Sequence, residues 1–197
     1  MNLLIIDTAL GTSVAVVAGD VAVERATEET RSHAEHIGTF IAEVLHDSGA
    51  SANAIDAVVV GLGPGPFTGL RVGIAAGIAF AAGRGIPVLG VPSHDGAAFG
   101  RGDCCVVSDI RRRELAWTTY RDGVTVNGPS VTTEAAIATD IDLTAFPEIR
   151  ATAFSAIALG RAALRRIERG DDLSSLAPLY LRAPDATPSS GPKRVSQ

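Results

Sequence analysis

Asp7 and Thr8 end an apolar run, Leu3 to Ile6, and Gly11, Thr12 and Ser13 follow them. A carboxylate and hydroxyls at the carboxyl end of a buried strand are what a phosphate-binding α/β fold turns toward a metal ion and a nucleotide. Asp7 could equally cap a turn, and the hairpin supplies no lysine to hold a phosphate, so both roles stay open. Asp7 and Thr8 are candidate nucleotide-binding residues, joined by Gly63 and Gly65 of the loop Gly61 to Phe67. Its glycines permit, and its prolines fix, a path that brings helix-end N–H groups close to an anion, with Thr68 as the N-cap. The loop lacks the Gly-Lys-Ser/Thr ending of a P-loop and the frame of a dinucleotide fingerprint.

The remaining chemistry-bearing residues converge less. His33 and His36 are three apart on a helix, but no cysteine or acidic cluster completes a metal site, so they are surface or interface histidines. Ser93, His94 and Asp95 are consecutive, whereas a nucleophilic triad needs groups converging in space. Cys104 and Cys105 are neighbours beside Val106 and Val107, badly placed to bridge each other, and fit core thiols in a reducing compartment. Arg111 to Arg113, and Arg161, Arg165 and Arg169, fit solvated faces that could touch RNA held by a partner. With a net charge of −5 and a pI near 5.3 there is no general cationic field, which speaks against autonomous nucleic-acid binding. The N-terminus has no basic region, cleavage-like site or membrane-spanning run, which predicts a cytoplasmic protein with no membrane partner.

The elements that must position these residues are legible from periodicity. Mean hydropathy of +0.25 over 197 residues leaves ample material for a core. Strands are predicted at Leu3 to Ile6, Ser13 to Ala18 and Val21 to Thr27, the last two joined at Gly19-Asp20. Ser32 and Glu35 match a capping box, opening an amphipathic helix over 32–47 whose apolar side is Ile37, Phe40, Ile41, Val44 and Leu45. A strand at Ala57 to Val60, a small-residue helix from Thr68 to Arg84 and a strand at Pro87 to Val91 predict a parallel crossover. From Cys104 the pattern restarts, since Cys104 to Ser108 ends at Asp109 as the first strand ends at Asp7. Strands at Glu114 to Arg121 and Val124 to Thr132 and a helix from Phe154 to Arg169 follow, and Trp117 and Tyr120 fill a second core. The predicted domains are 1–100, carrying the interface, and 101–182, followed by a proline-rich, disordered tail over 183–197.

Gly69, Gly73 and Gly77 fall four apart on the second helix, beside Ala76 and Ala81, leaving one side almost bare backbone. Each helical glycine costs about 1 kcal/mol against alanine, so a ridge of three needs a packing reason. It could pack on its own sheet or admit a helix from another protein. The predicted adjacency of the helix bearing Ile37, Phe40, Ile41 and Val44 favours a two-helix docking surface, which leaves the chain a scaffold rather than a complete enzyme.

The opening Leu-Ile-Ile-Asp-Thr, the string from Gly63 to Gly73 and the later Pro178-Leu179-Tyr180-Leu181-Arg182 together resemble the TsaB (YeaZ) family, the dimerisation subunit of the bacterial complex that makes threonylcarbamoyladenosine in tRNA. The resemblance implies a duplicated actin-like, sugar-kinase-like α/β fold with two ribonuclease-H-like halves. It also implies a non-catalytic subunit that pairs with the catalytic protein TsaD, works with the ATPase TsaE, forms a homodimer when alone and meets tRNA only through the complex. The docking residues would be His33, His36, Ile37, Phe40, Ile41, Val44, Gly69, Arg71, Val72, Gly73, Ala76 and Gly77. No cofactor of its own is implied, with ATP or ADP a candidate at the junction. Catalytic relatives carry two metal-binding histidines four apart where this chain has Ser93 and Ala97, with His94 out of register. The family's Asp-Ala-Arg-x-Gly-Glu pattern is here Asp109-Ile110-Arg111-Arg112-Arg113-Glu114, with arginine in place of the glycine. The competing expectation is an independent nucleotide-dependent kinase or hydrolase built on Asp7.

Overall fold

The structure is a computed structural model, and it describes residues 1–30, 32–110 and 113–181. Arg111, Arg112, Arg182 and the predicted tail over 183–197 lie outside the described residues. The first lobe opens with β1 (Asn2–Asp7), β2 (Thr12–Ala18) and β3 (Val21–Thr27), an antiparallel meander. Helix α1 (His33–Ser48), β4 (Ala57–Gly61), α2 (Phe67–Arg84) and β5 (Val88–Val91) complete a sheet of order β3-β2-β1-β4-β5, in which β4 runs parallel to β1 and β5.

After α3 (Ser93–Ala98) the chain repeats the opening as β6 (Cys104–Asp109), β7 (Glu114–Arg121) and β8 (Val124–Thr133), then α4 (Ile137–Asp140), β9 (Glu148–Ala151) and α5 (Ala156–Glu168). The second sheet, β8-β7-β6-β9, reproduces the β3-β2-β1-β4 part of the first, including the one parallel neighbour of its central strand. This is the duplicated actin-like α/β fold. The short α3, α4 and β9 carry too few residues to leave a periodic trace in the sequence, and none of the three is predicted.

Strand β1 is buried on both faces, so its alternating side chains enter two different cores. Leu4 and Ile6 meet Val14, Val16, Val58 and Val60 under α1 and α2. Leu3 and Ile5 meet Val17, Val59, Leu159 and Ala163 on the other face, beneath α5. The predicted domain boundary is corrected here: α5 belongs to the first lobe's core, although its residues follow the second sheet. Glu24 of β3 explains the return, because its carboxylate accepts from the Ile157 N–H at 3.2 Å and from the Ser155 hydroxyl at 3.1 Å at the start of α5. The chain then runs back across the first sheet, with the Gly90 N–H donating to the Leu173 carbonyl and the Leu179 N–H to the Leu62 carbonyl.

The predicted capping box does not form. Ser32 stands at the N-cap of α1, but its hydroxyl donates to Glu29 at 2.8 Å and caps no backbone N–H. Thr68 likewise lies inside the first turn of α2, whose N-cap is Pro66.

Candidate functional site

Asp7 lies where the sequence places it, at the carboxyl end of β1, and it is buried, 2% exposed. Its Oδ1 accepts from the Ala9 N–H at 2.8 Å, while Oδ2 is buried without a hydrogen-bond partner. Burial drives its carboxyl above the usual aspartate range, and the nearby Ser93 hydroxyl and the Ala9 N–H only partly oppose that. Ser93 Oγ is not in hydrogen-bonding geometry to Oδ2, though it accepts from the Gly63 N–H at 3.1 Å.

The loop after β4 closes over this strand end. A Cβ on Gly61 would lie 2.1 Å from Asp7 Oδ2, and one on Gly65 would lie 2.9 Å from the Ala9 backbone. Thr8 spends its hydroxyl on the Gly69 carbonyl at 2.8 Å. Asp7, Thr8, Gly63 and Gly65 are thus set in closely packed backbone, with Asp7 and Thr8 buried, which speaks against their assignment as a nucleotide site. Among the described residues no cluster of three or more histidine, cysteine or acidic side chains is arranged to hold a metal.

The glycine ridge faces inward. Cβ atoms on Gly69, Gly73 and Gly77 would meet the Thr8 carbonyl at 2.8 Å, Thr8 Oγ1 at 2.2 Å and Val60 Cγ1 at 2.4 Å. The ridge therefore lets α2 settle onto β1 and β4 of its own sheet. As docking residues these three glycines are a correction, and so are Ile37 and Val44, both in the core. His33 joins them: it is buried, its Nδ1 lies 2.8 Å from Thr12 Oγ1, and burial lowers its pKa.

The solvent side of α2 is the more apolar exposed face. Its only charged residues are Arg71 and Arg84, and apart from Arg71 and Thr68 its exposed positions are apolar or small: Phe67, Ala75, Ile78, Ala79, Ala82 and Gly83. Ile78 is 43% exposed and Phe67 36%. Of the predicted docking residues, Phe40 and Ile41 on α1 and Val72 and Ala76 on α2 are half-buried beside this face. His36 stacks on Phe40 with ring centroids 5.4 Å apart and reaches Glu29 at 3.3 Å. Arg71 is exposed, its guanidinium 3.7 Å from the Phe67 ring centre and its Nε donating to the Tyr180 hydroxyl at 2.7 Å. Tyr180, from the returning C-terminal segment, stacks on Phe67 at 4.7 Å and fastens that segment to the start of the helix. Phe67, Ala75, Ile78 and Tyr180, which also face outward here, are absent from the predicted docking set; for Phe67 and Ala75 the repeat 67-71-75-79 was the available signal.

The residues between the lobes make joints rather than catalytic groups. His94 is buried, with Nδ1 2.9 Å from Thr118 Oγ1 and Nε2 2.8 Å from Ser108 Oγ, both on the second sheet. Tyr120 donates to Asp95 at 2.7 Å, and Arg166 of α5 pairs with the same carboxylate at 2.9 Å. Ser93, His94 and Asp95 thus point to different partners and form no triad. Burial pushes the Cys105 thiol up to about 12, and both cysteines are free, as inert core thiols are. The Arg113 turn has φ +63°, the left-handed conformation that the expected glycine would adopt without strain.

Residues 24–177 match the sequence model of the family described as tRNA N6-adenosine threonylcarbamoyltransferase, TsaD. An uncharacterized Mycobacterium tuberculosis protein is 40% identical, covering 95% of this chain and 94% of its own length. The Escherichia coli tRNA threonylcarbamoyladenosine biosynthesis protein TsaB is 33% identical over 61% of this chain and 55% of that protein. The structure of YeaZ from Pseudomonas aeruginosa superposes with a TM-score of 0.76 at 23% identity, covering 91% of this chain and 99% of that one.

Proposed function

Since the chain belongs to the tRNA N6-adenosine threonylcarbamoyltransferase family, on its TsaB (YeaZ) branch, we propose that it serves the formation of threonylcarbamoyladenosine in tRNA as a non-catalytic docking subunit. Its partner in this proposal is the catalytic TsaD protein, held in the cytoplasm against the outer side of α2 and the adjoining Phe40 and Ile41 of α1. One observation carries the reading. An 18-residue helix whose only charges are Arg71 and Arg84 turns Phe67, Ala75, Ile78 and Ala79 to water, where a surface helix would carry more charge. Such a face reaches its stable state only when another apolar surface covers it, and without the catalytic protein a second copy of the same chain serves.

An independent kinase or hydrolase finds no support in the geometry. Asp7 is 2% exposed, with Gly61 packed against its carboxylate, which speaks against its organising a magnesium–nucleotide complex.

Mixing the purified chain with TsaD and measuring mass by light scattering tests the proposal. The wild type should form a heterodimer at micromolar concentration. Ile78→Glu should weaken pairing by at least about tenfold, since it buries a charge in an apolar seam, while circular dichroism stays unchanged. Undiminished pairing of Ile78→Glu would remove this face from the interface.

A further inference from the structure

Arg71 is the one charged residue among the exposed positions of α2; Arg84 is half-buried and donates to the carbonyls of Ala52 and Asn53 at 3.1 and 3.3 Å. The Arg71 guanidinium is held in place. The Phe67 ring lies under it, with 3.7 Å from centroid to Cζ, the Tyr180 ring borders it at 5.6 Å, and its Nε donates to the Tyr180 hydroxyl at 2.7 Å. Phe67 and Tyr180 are themselves stacked, so the returning C-terminal segment fixes both the ring and the cation. That arrangement occupies Nε. Nη1 and Nη2 bond no carboxylate among the described residues.

Covering this face therefore covers a charge. A surface that takes Phe67 out of water takes the guanidinium stacked on it as well, and a desolvated guanidinium without a partner opposes association. The covering surface has to bring an anion. Two donors in one plane match the two oxygens of a carboxylate, and a fork oriented before binding has less side-chain entropy to lose.

A second copy of the chain is poorly equipped to supply that group. In a two-fold pair the same patch meets itself. α2 has no acidic residue, and on α1 Arg25 already holds both Glu43 and Asp47, which leaves Glu35 in the first turn. Self-pairing thus buries one guanidinium from each copy, and an acid-bearing partner is favoured over it. We propose, on the reading that α2 is the docking face, that Arg71 selects the catalytic protein over a second copy. It takes, through Nη1 and Nη2, a carboxylate side chain set in an apolar surface of that protein, and Tyr180 positions it to do so.

Sedimentation velocity in nucleotide-free buffer, on the full chain alone and mixed with TsaD, tests this with Arg71→Met, which keeps an apolar stem and removes the fork. Arg71→Met should weaken pairing with TsaD at least about tenfold and leave self-association as tight as in the wild type or tighter. Raising NaCl from about 0.05 to 0.5 M should weaken wild-type pairing more than that of Arg71→Met. Tyr180→Phe keeps the stack on Phe67 and loses the hydroxyl, and should pair with an affinity between the two. Undiminished pairing of Arg71→Met with TsaD would overturn the proposal. So would an equal loss of self-association, which would mean that a second copy supplies the acid, or a defect seen only when ATP is added, which would assign the anion to a nucleotide. Pairing lost in Ile78→Glu but kept in Arg71→Met would reject the role of Arg71 and spare the docking face, whereas pairing kept in Ile78→Glu would reject the face itself.

Discussion

Asp7 shows how a carboxylate at a strand end can be held in the core rather than turned to a ligand. One carboxylate oxygen holds the Ala9 N–H and the other is buried with no partner, so the ionised form carries a desolvation cost that the fold must absorb. The sign follows from its raised pKa. The folded state keeps the proton at pH values where the unfolded chain, near 3.8, has released it, so stability falls as pH rises from that value through the folded pKa. Asp7→Asn keeps the acceptor for Ala9 and removes the charge. It should raise stability at neutral pH by about 1–2 kcal/mol, read from urea unfolding, with little gain below pH 4. A loss of stability at neutral pH would mean that Asp7 holds a favourable interaction as an anion. The residue type and strand-end position were legible in the sequence; its burial was not, because that depends on a loop some 55 residues away folding over it.

At the scale of elements, α2 explains why a correct helix can be given the wrong face. Its limits and its neighbour α1 follow from periodicity and lie within a residue of expectation, but a helix with no polar side leaves its rotation undetermined by sequence. Rotation is set by sterics against the sheet, where only glycine fits over Thr8 and Val60. Gly73→Ala should therefore destabilise the fold by roughly 2–3 kcal/mol, since its methyl would overlap Thr8 Oγ1 and break the bond to the Gly69 carbonyl. Gly83, where an added Cβ would meet nothing within 4 Å, is the matched control. Gly83→Ala should stabilise by about 0.5–1 kcal/mol through helix propensity. Thermal unfolding of the two variants separates the inward ridge from the outer face. Equal and small effects would mean that the ridge is not in contact with the sheet.

At the scale of the whole molecule, the two lobes are joined through α3, whose His94 reaches the second sheet while the helix itself packs on α5. The duplication was legible because Asp109 ends its strand as Asp7 does; the return of α5 to the first lobe was not, since it depends on Glu24, more than a hundred residues earlier, receiving the start of that helix. Burial lowers the His94 pKa from 6.5 to about 3, so the imidazole is neutral in the folded joint. When pH falls below 6.5 the unfolded chain takes up a proton that the folded chain refuses. The stability that His94 contributes is therefore complete above 6.5 and is lost as pH falls toward 3, by up to about 1.4 kcal/mol per pH unit. Asp7 acts with the opposite sign above about 3.8, as does buried Asp95, while His33 acts with the sign of His94. The Asp7→Asn background removes one opposing contribution between pH 6 and 4, and the His94 share is the change in slope that its own substitution causes. In that background His94→Gln, which can still bond one of the two hydroxyls, should flatten the slope of unfolding free energy against pH between 6 and 4, at some cost in stability at pH 7. An unchanged slope would place the proton uptake elsewhere and leave the interlobe joint insensitive to acid.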